Sequence, residues 1–164
     1  FLRIRNHYDK VAAQLRLGTK IEKADYAGNT VIVLVGNVTQ VSVGAMSYAS
    51  SLGNDIVAMH VSTEETKAKD MEVAEEFKHY FPDIRFENVM TSYRDIIQPT
   101  VEFVAKVAEE AKAKGNTVTV LVPQFIPKKH WQNILHNQMS LKLKYALRWH
   151  EEVVVASYSY HLSQ

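Results

Sequence analysis

Residues Thr30 to Val35 (TVIVLV) are all apolar or β-branched, with no polar alternation. A strand with one wet face alternates, so this run suits a parallel strand buried on both faces, the middle strand of a sheet. Gly36 breaks the run and Asn37 to Ser42 reads as a polar loop. Val43 to Leu52 reads as a short helix ended by Gly53. In an open α/β sheet the loop at the carboxyl end of such a strand borders the crevice where ligands bind. Gly36 to Gln40 is therefore the first place to look for function.

The same grammar repeats along the chain. Phe1 to Leu17 reads as a helix with Ile4, Tyr8, Val11 and Leu15 on one face and a basic rim of Arg3, Arg5, Lys10, Arg16 and Lys20. Such a helix either packs on its own domain or lies near an anionic membrane surface, with packing the favoured expectation. Asp55 to Val61 is a second strand, and Ser62 with Glu65 three residues later reads as a capping box opening the next helix. That helix carries Val73, Phe77 and Phe81 on one face and stops at Pro82. Ile84 to Met90 alternates like an edge strand. A helix bearing Ile97, Val101, Val104, Ala108 and Ala111 follows, ending at Gly115-Asn116. Thr117 to Val122 is a second fully apolar strand, expected beside the first, with Pro123 to Lys129 as the loop after it. Leu135, Met139, Leu143 and Leu147 mark a long helix, and Val153 to Leu162 the last strand. Right-handed crossovers turn this order into an α/β domain, a doubly wound five-stranded parallel sheet with helices on both faces, preceded by a helix. The expected division is a connecting helix over 1–24 and one domain over 25–164.

Composition narrows the function. A formal net charge of +1 in 164 residues gives no global reason to bind a nucleic acid polymer. The absence of cysteine excludes disulfides and thiolate chemistry within the chain. No apolar run approaches the ~20 residues of a spanning helix, yet the chain begins at Phe1, and a piece of a longer protein with its membrane part elsewhere is expected. Phosphate-loop, dinucleotide, nucleophile-elbow and metalloprotease motifs are all missing, so nothing in the motifs supports an enzyme or a resident metal or cofactor. His60 reads as a satisfied core or strand-end histidine, His130 and His136 bracket the start of the last helix, and His150 beside Glu151 and Glu152 reads as helix-end charge balance.

Several strings nevertheless point to a family. Arg5-Asn6-His7-Tyr8-Asp9, Tyr93-Arg94 ahead of Pro99, Pro127-Lys128-Lys129-His130-Trp131 running into Leu135-His136-Asn137-Gln138, and Tyr158-Ser159-Tyr160-His161-Leu162 resemble the C-terminal cytosolic domain of amino-acid-permease-like transporters. Among these the chain is most similar to the KimA-type proton-coupled potassium importers. The element order also resembles the Rossmann-like universal stress protein fold. The resemblance implies a regulatory domain on the cytoplasmic face of the membrane, attached to a transmembrane part, forming a homodimer and binding cyclic di-AMP as an inhibitory ligand. ATP-binding universal stress proteins have a glycine-rich phosphate loop after the fourth strand, whereas this chain has no glycine after Gly115. A ligand-free dimerisation domain and an ATP-binding stress protein remain the alternatives.

With that ligand in view, the candidate residues are Asn37, Val38, Thr39, Tyr93, Arg94, Tyr158, Tyr160 and His161. A cyclic dinucleotide has two bases, two phosphates and twofold symmetry, which matches a site across a homodimer axis. Tyr158 and Tyr160 share one face of the last strand, with His161 opposite, and either stack on adenine or bury their rings in a protein interface. Arg94 offers a guanidinium to phosphate or pairs with Asp95 or Glu102, and Tyr93 stacks or wedges its loop. Asn37 and Thr39, with the amide of Val38, bond the ligand or cap the short helix.

Overall fold

A computed structural model describes residues 2–15, 25–36, 38–92, 97–126, 146 and 153–161. The elements are α1 (Leu2–Leu15), β1 (Gly28–Leu34), α2 (Gln40–Leu52), β2 (Asp55–Ser62), α3 (Lys67–Tyr80), β3 (Arg85–Met90), α4 (Ile97–Ala113), β4 (Asn116–Ile126) and β5 (Val153–His161). The strands form one sheet in the order β3-β2-β1-β4-β5, every pair parallel. The unbroken apolar run thus becomes the middle strand, with β3 and β5 at the edges. Of the long helix expected around Leu135 to Leu147 only Ala146, which is helical, belongs to the described residues, and His130, His136 and His150 lie outside them.

Both faces of β1 are covered, which is why its residues need no polar alternation. Ile32 packs with Val57, Met59, Val120 and the α4 residues Val104 and Val107. Val31 and Val33 turn the other way, onto Ala45, Met46 and Ala49 of α2 and Phe77 of α3. With α2 and α3 on one face and α4 on the other, the connections reverse direction between β1 and β4. That reversal leaves a crevice at the carboxyl ends of the two strands.

Several local expectations change. Ser62 is the last residue of β2 and fully buried, while α3 begins five residues later, at Lys67 behind Thr66, so Ser62 and Glu65 form no capping box. The reason is an inward partner, Asp70, that outcompetes the local cap. Helix α2 starts at Gln40, three residues before its apolar stretch, and its last turn closes onto Gly53 through the Gly53 N–H and the Ala49 carbonyl. Gly53 itself is extended (φ −172°), so left-handed freedom is not why glycine stands there. A Cβ at that position would lie 2.2 Å from the Asn29 carbonyl oxygen. Gly53→Ala is accordingly expected to lower stability by about 1–3 kcal/mol through overpacking, measured by urea unfolding.

Strand β4 runs on through Pro123 to Ile126, where a loop was expected. Its pairing with β1 ends at Leu121 while its pairing with β5 continues to Ile126, so this stretch has one open side and tolerates a proline. Helix α1 leaves Tyr8 67% and Val11 37% exposed, against the expectation that this face packs on its own domain. The described faces of the sheet are covered by α2, α3 and α4. Among the described residues no helix is long and apolar enough to cross a membrane.

Candidate functional site

The carboxyl ends of β1, β2 and β4 open into a cavity of about 480 Å³, a volume suited to a small-molecule site. Leu34, Val35 and Gly36 come from β1 and the start of its loop, Val122 and Pro123 from β4, and Ile97 and Thr100 from the first turn of α4. Met59, Val61 and Thr63 enter from β2 and just beyond it, and Thr66, Lys69 and Asp70 from the start of α3. The floor is apolar, while the polar groups gather on the α3 side. This is the crevice to which the β1 run pointed.

A buried hydrogen-bond cluster forms the wall beside α3. Asp70 is 5% exposed and accepts from the Ser62 hydroxyl, from Thr66 Oγ1 at 2.5 Å and from His60 Nε2 at 2.7 Å. Burial pushes the Asp70 carboxyl up, but the bonds from Ser62, Thr66 and His60 and the charge of His60 outweigh it and hold the group below its ordinary range. Both carboxylate oxygens therefore have partners inside the protein. His60 places its other nitrogen, Nδ1, 2.7 Å from the Val35 carbonyl oxygen, and its ring stacks on Phe86. Thr66 stands ahead of α3 without capping it, because its hydroxyl accepts the Thr63 N–H and donates to Asp70. Lys69 is exposed at the cavity edge, where it can meet an anion.

His60 is thus satisfied, as its position at the end of a strand suggested. Asp70, however, was missed, although a signal was present. Asp70, Val73 and Phe77 lie three and four residues apart on the buried stripe of α3, and an acid in an apolar stripe demands partners. At the opposite, amino end of the strands, Asp55 accepts from Thr30 (2.8 Å) and Lys114 (3.1 Å), and Asn116 donates to Thr30 (3.2 Å). That network ties three strands and the end of α4 together, far from the crevice.

The expected binding residues divide between two places. Val38 and Thr39 sit in the β1–α2 connection beside the crevice; Val38 packs into the α2-side core, while Thr39 is exposed and makes no capping bond despite its N-cap position. Tyr158 packs into that same core from β5, its ring 5.8 Å from that of Tyr48, which is 43% exposed. The Tyr158 hydroxyl lies over Gly44, where a Cβ would come within 2.5 Å of it. Val38 and Tyr158 therefore share one cluster. Tyr160 and His161 continue β5 opposite Phe125 and Ile126, with side chains outside the described set. Asn37, Tyr93 and Arg94 also lie outside the described residues.

Comparison with known proteins narrows the family. Residues 27–160 match the model of the KimA potassium transporter C-terminal domain. The chain is also 37% identical, over all 164 of its residues, to the potassium transporter KimA of Bacillus subtilis (strain 168). It spans about a quarter of that relative's length, 26%.

Proposed function

This chain belongs to the family of KimA potassium transporter C-terminal domains, and on that premise we propose that it is the cytoplasmic regulatory domain of a potassium importer. In this reading residues 25–164 form the regulatory unit and residues 1–24 join it to the transmembrane part of the same transporter. Two copies meet along their β5 edges, and cyclic di-AMP binds at or near the junction to inhibit transport. The observation that carries the reading is the place of β5 at the edge of the sheet formed by the described strands: an edge strand can present backbone donors and acceptors to a second copy. Tyr158 on that strand, held against Tyr48 and α2, supplies an aromatic surface beside it. A bound nucleotide favours one arrangement of the two copies, and α1 carries that arrangement toward the membrane. The ATP-binding alternative is less well supported, because no glycine follows Gly115 to wrap a phosphate chain.

Calorimetric titration with cyclic di-AMP, with ATP and cyclic di-GMP as comparisons, tests the proposal. Selective binding at one nucleotide per two chains is expected. Tyr158→Ala is expected to weaken it about tenfold, in line with the ~1–3 kcal/mol of a base–aromatic stack. Arg94→Ala tests the expected phosphate contact in the same titration. No heat and no thermal shift with any nucleotide would leave a dimerisation domain without a ligand.

A further inference from the structure

Helix α2 lies over β1 and β4, where Ala45, Met46 and Ala49 share a core with Val31, Val33 and Leu121. Strand β5 is one place further out, at the edge of the sheet formed by the described strands. Alternate residues of a strand share a face, so Val154 projects to the α2 side together with Ala156 and Tyr158. Ala156 and Tyr158 reach the core beneath α2, whereas Val154 is left 56% exposed. Helix α2 therefore covers this face of β5 only in part.

The outward side of α2 is uncharged, because the whole helix carries no charged side chain. Tyr48 stands on that side, 43% exposed, with its ring 5.8 Å from that of Tyr158 and the two planes tilted by 31°. That spacing is within the range of a favourable aromatic pair. Gly44 is what lets the Tyr158 ring come so close to the helix. A Cβ there would lie 2.5 Å from the Tyr158 hydroxyl oxygen and 3.1 Å from its ring carbon Cζ.

Antiparallel pairing of two β5 edges, the arrangement that a twofold axis normal to the sheet gives, puts both α2 helices on the same side of the joined sheet. Neighbouring strands are ~4.8 Å apart, so a helix over β1 and β4 stands about 10 Å from that axis and about 20 Å from its counterpart. Packed helices approach to about 8–10 Å, so these two do not meet. A groove is left between them, with Val154 and Tyr158 of both copies on its floor and a Tyr48 on each wall.

We propose that this groove holds the two bases of the cyclic dinucleotide, with Tyr48 as a base-contacting residue and Gly44 as the positioning residue that sets the Tyr158 ring beside it. The groove exists only in the dimer proposed above, so this assignment rests on that reading. An uncharged wall offers no cation to a phosphate, whereas every base has a π-face on which a tyrosine stacks. The twofold axis presents two such walls to a ligand with two bases.

Calorimetric titration of the whole chain with cyclic di-AMP, alongside sedimentation of each variant, tests the assignment. Tyr48→Ala is expected to weaken binding about tenfold while the dimer persists, and Tyr48→Phe, which keeps a ring, to recover most of the loss. Since Tyr48 meets no phosphate, affinity in Tyr48→Ala should fall with added salt along the wild-type slope. Gly44→Ala displaces only the tip of a tyrosine side chain, so this variant should fold and bind several-fold more weakly. Adding Tyr158→Phe, which removes the clashing oxygen, should restore part of that affinity. Wild-type affinity in Tyr48→Ala or in Gly44→Ala would overturn the role given to that residue and leave the nucleotide reading intact. Loss of the dimer in Tyr48→Ala would make the ring a protein contact and sink the assignment. A wild-type chain that binds no cyclic di-AMP would remove the ligand, and its base site with it.

Discussion

Replacing Asp70 with asparagine is expected to lower folding stability by several kcal/mol, about 1–3 kcal/mol for each buried donor that loses its acceptor. The carboxylate of Asp70 takes three bonds, and Asp70 and His60 are each 5% exposed. An amide offers one acceptor oxygen and turns an NH2 toward groups that are themselves donors, so a buried donor loses its partner. Total stabilities of about 5–15 kcal/mol make this a large fraction of the whole. The loss should also depend on pH in a definite direction. Because the folded protein holds the Asp70 carboxyl below its ordinary range, the stability it contributes is fully present above ~pH 4, where the unfolded carboxyl is ionised. It is lost as pH falls through the lower folded value. The difference between wild type and Asp70→Asn, followed by urea unfolding at several pH values, should shrink on the acid side and be greatest above it. An undiminished difference at acid pH would mean that packing, rather than charge, makes Asp70 important.

Phe77→Ala should cost a similar amount, about 3–5 kcal/mol, for a different reason. Phe77 is completely buried, and its ring lies 4.9 Å from that of Phe86 and 5.0 Å from that of Phe81. Truncation removes the transfer energy of the ring and leaves a hole between α3 and the edge strand β3. A melting temperature lower by roughly 10 °C is expected, given about 2–4 °C per kcal/mol for chains of this size. The effect should reach the crevice. Phe77 lies two helical turns after Asp70 on the same stripe, so a loosened α3 carries the carboxylate away from His60. Thermal unfolding of Phe77→Ala measures the loss. A melting temperature within a degree or two of wild type would show that the site collapses and that the aromatic trio contributes little.

The sheet was legible because its signals are local. Thr30 to Val35 and Thr117 to Val122 carry their burial in their own composition, and both are central strands. The alternating Ile84 to Met90 segment is an edge, as one wet face requires. The crevice beyond β1 was legible too, since chain reversal in a doubly wound sheet leaves one wherever the connections switch faces. The family strings point to the same family that residues 27–160 match.

What the sequence by itself determined is therefore the class of fold, the middle strand, the end of the sheet where the crevice lies, and the kinship. Only the tertiary structure decided which polar residues meet there. Ser62 and Glu65 satisfy a local capping pattern, but Ser62 turned to Asp70, eight residues on, because burial at the end of β2 made the carboxylate the better partner. His60 joins Val35, 25 residues before it, to Asp70, ten residues after it. Gly53 is required by a carbonyl on a neighbouring strand, not by its own turn. Periodicity measures how much of a side chain must leave water, and that is a property of each segment alone. Which donor finds which acceptor depends on distances between segments, and those exist only once the chain has folded.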